Sequence, residues 1–192
     1  QLVQEIARDA DRPISQLPLL GETERHRVLV EWNATRSPYP ADRSVPALFA
    51  EQVARTPDAV AVTDGGRTIT YAELDRRARR LAGRLRDLEV GRGMRVGVCC
   101  DRSIELVVAL LGVLTAGGAY VPLDPSHPAE RRTALLDDAG AVAIVTAGAG
   151  RGDARPEVRL ESSDGEALEA PAAEALALGG GDLAYVMYTS GS

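Results

Sequence analysis

The feature that most constrains the fold of this chain lies between residues 94 and 146, where short apolar runs alternate with helical segments closed by glycine. Residues 94–100 form an apolar run of strand length. Ser103 then stands before a nearly all-apolar segment that reaches Ala116, and Gly117 with Gly118 breaks it. A second strand-like run covers residues 119–123, a helical segment at 128–139 is closed by Gly140, and a third run occupies 141–146. Strands that are apolar throughout must be covered on both faces, and strands separated by a helix are joined by crossovers rather than tight turns. The order β-α-β-α-β therefore predicts an α/β fold with a mostly parallel, helix-covered sheet.

The flanking sequence adds elements to this unit. Ser44 is placed to cap a helix whose Leu48, Phe49 and Val53 share one face, with Pro57 beyond its end. Asp64, Gly65 and Gly66 separate two β-favouring runs, residues 59–63 and 67–71, which predicts a hairpin. Thr70 and Glu73 have capping-box spacing and open a helix with Leu74, Ala78, Leu81, Leu85 and Leu88 on one face. Arg76, Arg77, Arg79, Arg80, Arg84 and Arg86 fall mostly on its other sides. A basic row can bind phosphates, but the interspersed acids favour a solvated face. Residues 147–181 read as a surface excursion, with a short strand at 158–160 and a short helix near Ala172. Residues 183–188 return as a buried strand.

At the other end, residues 1–11 read as the end of a helix, and residues 13–20 are punctuated by proline. A short helix follows, with Glu22 and Glu24 in its first turn and Val28, Leu29 and Trp32 as an apolar stripe. Asn33 and the prolines Pro38 and Pro40 stop it. The stretch reads as an ordered linker whose apolar residues need a surface. Trp32 fits an interface anchor and packing on a neighbouring domain equally well. Both ends interrupt a pattern, so the chain reads as a piece of something longer.

Composition excludes several functions. All 22 basic residues are arginine and none is lysine, while Asp and Glu total 28, for a net charge of -6. General attraction for nucleic acid or an anionic membrane is not expected, and no apolar run is long enough to span a bilayer. The two cysteines, Cys99 and Cys100, are adjacent and poorly placed for a disulfide, which fits a reducing, cytoplasmic setting. His26 and His127 lie far apart without ligand spacing, so no metal site of protein side chains is expected. Residues 148–152 weakly match a dinucleotide-binding loop, but Pro156 and polar residues follow where a helix would be needed.

The chemistry-bearing string is LAYVMYTSGS at residues 183–192. A strand running into small hydroxyl residues and glycine suits phosphate, because backbone amides can converge without bulky side chains in the way. Alone, the same residues make an ordinary turn, and that reading is the stronger one. The whole string, however, closely resembles the opening of the phosphate-loop motif of the adenylate-forming enzymes. Two further strings occur in the matching order. LTAGGAYVPLD at residues 114–124 is similar to the second core motif of nonribosomal peptide synthetase adenylation domains, and ITYAEL at 69–74 to the first. Residues 17–20, Glu31, Trp32, Asn33, Tyr39 and Pro40 resemble the linker between a condensation domain and the following adenylation domain. Residues 49–62 resemble that domain's usual start.

This resemblance implies the N-terminal portion of the adenylate-forming fold, truncated. Residues 1–12 would be the tail of an upstream condensation domain, 13–43 the linker and 44–192 the incomplete adenylation domain. It implies an amino acid substrate activated with ATP and Mg²⁺ to an aminoacyl adenylate, then loaded onto the phosphopantetheine of a downstream carrier protein domain. An MbtH-like protein is a further partner it admits. Thr189, Ser190, Gly191 and Ser192 would bind the ATP phosphates; no catalytic residue and no metal ligand falls within the chain, which alone is expected to be inactive. A free-standing carboxylate–CoA or aryl-acid ligase and a non-enzymatic docking scaffold are the alternatives.

Overall fold

The computed structural model describes residues 3, 7, 9, 11, 13–16, 19–147, 153–160 and 178–189. It divides into two compact units, Gln1–Pro40 and Ala41–Ser192. The helix expected across residues 1–11 and the one near Ala172 lie largely or wholly outside the described residues, as does the glycine-rich loop at 148–152.

In the first unit, helix α1 (Glu22–His26) opens on Gly21, whose amide donates to the Glu24 carboxylate at 3.1 Å. It runs into a wider π turn, Arg27–Glu31, closed by the Trp32 amide on the Arg27 carbonyl. Asn33 ends it by donating its side-chain amide to the carbonyls of Val28 (2.8 Å) and Leu29 (3.2 Å). The π turn inserts an extra residue into the helical repeat, so the expected 3.6-residue stripe is not kept in register. Leu29 and Trp32 are 55% and 67% exposed.

The second unit begins with α2 (Val45–Arg55), capped as expected by the Ser44 hydroxyl accepting from the Ala47 amide at 3.3 Å. Strands β1 (Val60–Asp64) and β2 (Arg67–Thr70) form an antiparallel hairpin. Gly65 and Gly66 both have positive φ (53° and 88°), the backbone that a tight hairpin turn requires. Thr70 caps α3 (Tyr71–Asp87) by accepting from the Glu73 amide. Glu73 itself turns to Arg76 and Arg77 instead of completing the capping box. Leu88 lies past the end of this helix and is 39% exposed, so it drops out of the buried stripe. Most of the arginine row is engaged within the fold: Arg79 pairs with Asp75, while Arg84 and Arg86 donate to the carbonyls of Arg159 and Thr115.

The alternating middle of the sequence forms β3 (Arg95–Cys99), α4 (Ile104–Ala116), β4 (Ala119–Pro122), α5 (Ala129–Ala139) and β5 (Ala141–Ala147). Ser103 caps α4, and left-handed Gly117 and Gly140 end α4 and α5. A further strand, β6 (Glu157–Leu160), joins a four-stranded sheet of order β4-β3-β5-β6, parallel throughout. The short strand expected at 158–160 is present, but it is not part of a surface excursion. Val158 is buried among core residues, because its segment pairs with β5 instead of lying on the surface.

Adjacent strand residues point to opposite faces, and the sheet is packed on both. On one face Leu81 and Leu85 of α3 and Val113 of α4 meet Val96, Val98, Val145 and Val158. On the other, Leu136 of α5 meets Leu123 and Ile144. The neighbours Cys99 and Cys100 divide between these two cores, and both are buried. Close approach is set by glycine. A Cβ on Gly97 would stand 2.5 Å from a Leu136 methyl carbon, and one on Gly112 the same distance from Leu81. The hairpin is tied to α4 by a polar clamp, in which Arg67 reaches Glu105 at 3.1 Å and Asp64 at 2.8 Å. Glu105 is only 5% exposed. Its burial pushes the carboxyl up, but hydrogen bonds from Arg67, the backbone and Ser103 outweigh that and hold it below the usual glutamate range.

Candidate functional site

Of the expected phosphate-binding residues, Thr189 closes the last described segment. Residues 183–188 do not form a full buried strand. They make a parallel bridge between Tyr185 and Tyr120 of β4, with Tyr120 donating to the Ala184 carbonyl (3.1 Å) and Val186 to the Tyr120 carbonyl (3.0 Å). The segment is thus a short extension of the sheet beyond β4, paired on one side only. Its odd-numbered side chains remain open: Leu183, Tyr185 and Met187 are 47%, 51% and 59% exposed. The expectation of a buried strand is corrected for this reason. Among the described residues its apolar run is paired with β4 on one edge, and its odd-numbered side chains stay exposed.

The direction of the segment matters for chemistry. Being parallel to β4, it runs in the sense of the whole sheet, and Thr189 lies beyond its carboxyl end. In open α/β sheets that is the end at which loops converge on ligands. Thr189 is exposed. Ser190, Gly191 and Ser192 lie outside the described residues.

Three contacts fix this segment, and sequence reasoning had named none of them. Tyr185 stacks on Tyr120 with ring centroids 5.5 Å apart and 21° between planes. Burial, then the neighbouring Tyr185, pushes the Tyr120 phenol up. Tyr188 donates its phenolic hydrogen to the Asp138 carboxylate of α5 and lies 3.3 Å from the Leu135 carbonyl oxygen. That hydrogen bond raises the Tyr188 phenol. Before the segment, Asp182 accepts from the Gly179 amide (2.8 Å) and from Arg92 (2.9 Å), and the first of these leads in holding its carboxyl low. The signal available in the sequence was the Gly179, Gly180, Gly181, Asp182 run, which reads as a tight turn.

Other candidates find structural employment. Asp124, at the carboxyl end of β4, accepts from the amide (2.8 Å) and hydroxyl (2.7 Å) of Ser126 and shapes its own turn. Among the described residues no group of three or more His, Cys, Asp and Glu could hold a metal ion, and no helix is long and apolar enough to cross a membrane. The cleft beside Arg43, Pro46, Leu114, Gly117, Leu183 and Ala184 has a volume of about 100 Å³. Small-molecule pockets usually start at about 300 Å³, so this cleft is too small for a nucleotide.

Comparison with known proteins now bears on this geometry. The family model for AMP-binding enzymes matches residues 49–192. Tyrocidine synthase 3 of Brevibacillus parabrevis is 39% identical over 197 residues, covering 100% of this chain and 3% of that protein. Phosphinothricin tripeptide synthetase PhsB of Streptomyces viridochromogenes is 44% identical over 193 residues, covering 95% of this chain and 16% of the relative. The chain thus spans a small part of the curated relatives it matches. Among solved structures, the nonribosomal peptide synthetase FmoA3 superposes with a TM-score of 0.76 at 33% identity, over 98% of this chain and 21% of FmoA3. The N-terminal subdomain of Klebsiella oxytoca NpsA gives 0.56 at 29% identity, over 63% of this chain and 32% of NpsA.

Proposed function

Because the chain belongs to the AMP-binding enzyme family, we propose that it is the N-terminal part of an adenylation domain in a nonribosomal peptide synthetase, in which Thr189, Ser190, Gly191 and Ser192 bind the phosphates of ATP. The single observation that carries this reading is the parallel placement of residues 183–188 beside β4, with Thr189 exposed beyond the carboxyl end. The likeness to FmoA3 over nearly the whole chain supports it.

In the proposed reaction the carboxylate of an amino acid forms a bond to the α-phosphorus of ATP while the α–β phosphoanhydride bond breaks, releasing pyrophosphate. A carrier-bound phosphopantetheine thiol then displaces AMP and forms a thioester. The demand on this chain is to hold the polyphosphate and offset charge as pyrophosphate leaves; a threonine hydroxyl and small-residue backbone amides suit that task. The described residues offer no carboxylate cluster for Mg²⁺.

Residues 1–12 are proposed as the tail of an upstream condensation domain and 13–43 as the linker, in a cytoplasmic assembly. Support comes from the match to tyrocidine synthase 3, which runs through all of this chain, whereas the family model starts at residue 49. The NpsA structures favour a second reading, a free-standing ligase of aromatic acids, since one carries a 3-hydroxybenzoyl-AMSN ligand. That likeness covers 65% of the chain.

The test is Thr189→Val in the complete parent protein, with amino-acid-dependent exchange of pyrophosphate into ATP as readout. Loss of the hydroxyl should raise the KM for ATP about tenfold while the KM for the amino acid holds. A nucleotide found seated away from Thr189 in a crystal of the parent protein would overturn the reading. The isolated 192-residue chain, which has no lysine to supply the family's catalytic lysine, should give no exchange.

A further inference from the structure

Ahead of the segment that delivers Thr189, the chain makes an unusually close backbone contact. Arg43 forms an antiparallel bridge with Gly179, and the Gly180 amide donates to the Asp42 carbonyl at 3.0 Å. Gly180 is pressed so hard against this strand that a Cβ there would lie 1.8 Å from the Ala41 carbonyl oxygen and 2.8 Å from its carbon. Both are backbone atoms, so no rotamer change can relieve the clash. Only glycine fits.

The two sides of this contact are anchored unequally. Arg43 pairs with Glu51 of α2 at 2.7 Å, and Ser44 caps that helix. Phe49 of the same helix packs on the hydrophobic cluster under the hairpin and lies 6.0 Å from the Tyr71 ring. Residues 41–44 are therefore fixed to a helix seated on the core. Residues 179–182 are held by Arg92 on Asp182 and then lead, within three residues, to a segment bonded to the sheet around the single bridge of Tyr185 with Tyr120. A forced separation moves the second side.

We propose that residues 41–43 act as a strap that sets the position of residues 183–189, with Gly180 and Asp182 as positioning residues for nucleotide binding. Neither touches the nucleotide. Gly180 lets the strap close, and Asp182 shapes the turn that aims residues 183–188 along β4. This rests on the reading of Thr189 to Ser192 as the phosphate site, and the test separates the two.

The experiment combines Gly180→Ala and Asp182→Asn, with Arg43→Ala as a control that removes the Glu51 pair but keeps the backbone bridge. Hydrogen exchange of the complete parent protein reads the strap itself. Gly180→Ala should speed exchange of the amides of Tyr120 and Val186 about tenfold or more, leaving β3 and β5 unchanged. In the complete parent protein it should raise the KM for ATP about tenfold, with kcat and the KM for the amino acid within about twofold. Asp182→Asn should act in the same direction with smaller effect, and it decides the matter if Gly180→Ala loses its cooperative unfolding transition. Unchanged exchange in both variants overturns the strap, whatever Thr189→Val does. Faster exchange with an unchanged KM for ATP, while Thr189→Val raises that KM, overturns the positioning role. Faster exchange with no ATP effect from any variant, Thr189→Val included, retains the strap and rejects the phosphate site.

Discussion

The sheet centre and the segment at residues 183–189 are built from similar residues and end up in opposite conditions. Strand β3 has a paired neighbour on each side, α3 and α4 over one face and α5 over the other, and Val96 and Val98 are essentially inaccessible. Residues 183–188 have β4 on one side, and half their side chains remain in water. The first region is held by burial, in which each fully buried Leu or Val contributes roughly 1.5–3 kcal/mol. The second is held by a few directed contacts: a tyrosine stack, a phenol on a carboxylate and a backbone strap. A region fixed by directed contacts can be released locally without unfolding the whole, which suits a ligand-binding loop and not a scaffold.

The comparison breaks most readily at its strong end. Leu85→Ala removes a fully buried side chain from the α3 face and should cost about 3 kcal/mol, read as a lower midpoint of urea unfolding with unchanged slope. If the cost is under about 1 kcal/mol, that core is not what holds the sheet.

A smaller loss is expected from Arg67→Ala, which strands the buried Glu105 carboxylate without its guanidinium. Its pH dependence gives the sign. Glu105 titrates lower folded than unfolded, so the clamp stabilises fully above the ordinary glutamate pKa of about 4.3 and fades as pH falls through the depressed value. Denaturation midpoints of wild type and variant should therefore converge on acidification; a constant gap would show that the ion pair is not the cause.

Thr70→Ala, removing the α3 cap, should cost about 1 kcal/mol, visible as a lower Tm. The smallest global effect belongs to Tyr188→Phe. Deleting the phenol that holds Asp138 should leave the unfolding midpoint where it is and speed exchange only around residue 186. A drop in global stability from this change would mean that the terminal segment belongs to the core after all.

Much of the second unit was legible because its signals are local. Ser44, Thr70 and Ser103 cap helices with their own hydroxyls three residues back from the amide they bind. Gly117 and Gly140 stop helices by adopting backbone that other residues resist, and the Asp64–Gly66 turn follows from two positive-φ glycines in succession. Of the candidate site, the string at residues 183–192 was legible only through its resemblance to a family motif, since alone it reads as an ordinary turn. What escaped were contacts between distant positions: the pairing of the 158–160 strand with β5, Glu105 under Arg67, Asp138 beneath Tyr188, and Gly180 against Ala41.

The division has a physical cause. Capping, turn geometry and hydrophobic period act within a few residues, so they are written in the order of the chain, and with them the class of fold. Whether an apolar run is covered or left open depends on which helix arrives over it. Residues 94–100 and 183–188 carry comparable runs, yet the first lies between two packed faces and the second on an edge. Only the assembled sheet assigns those places, because burial is a property of neighbours brought from far along the chain.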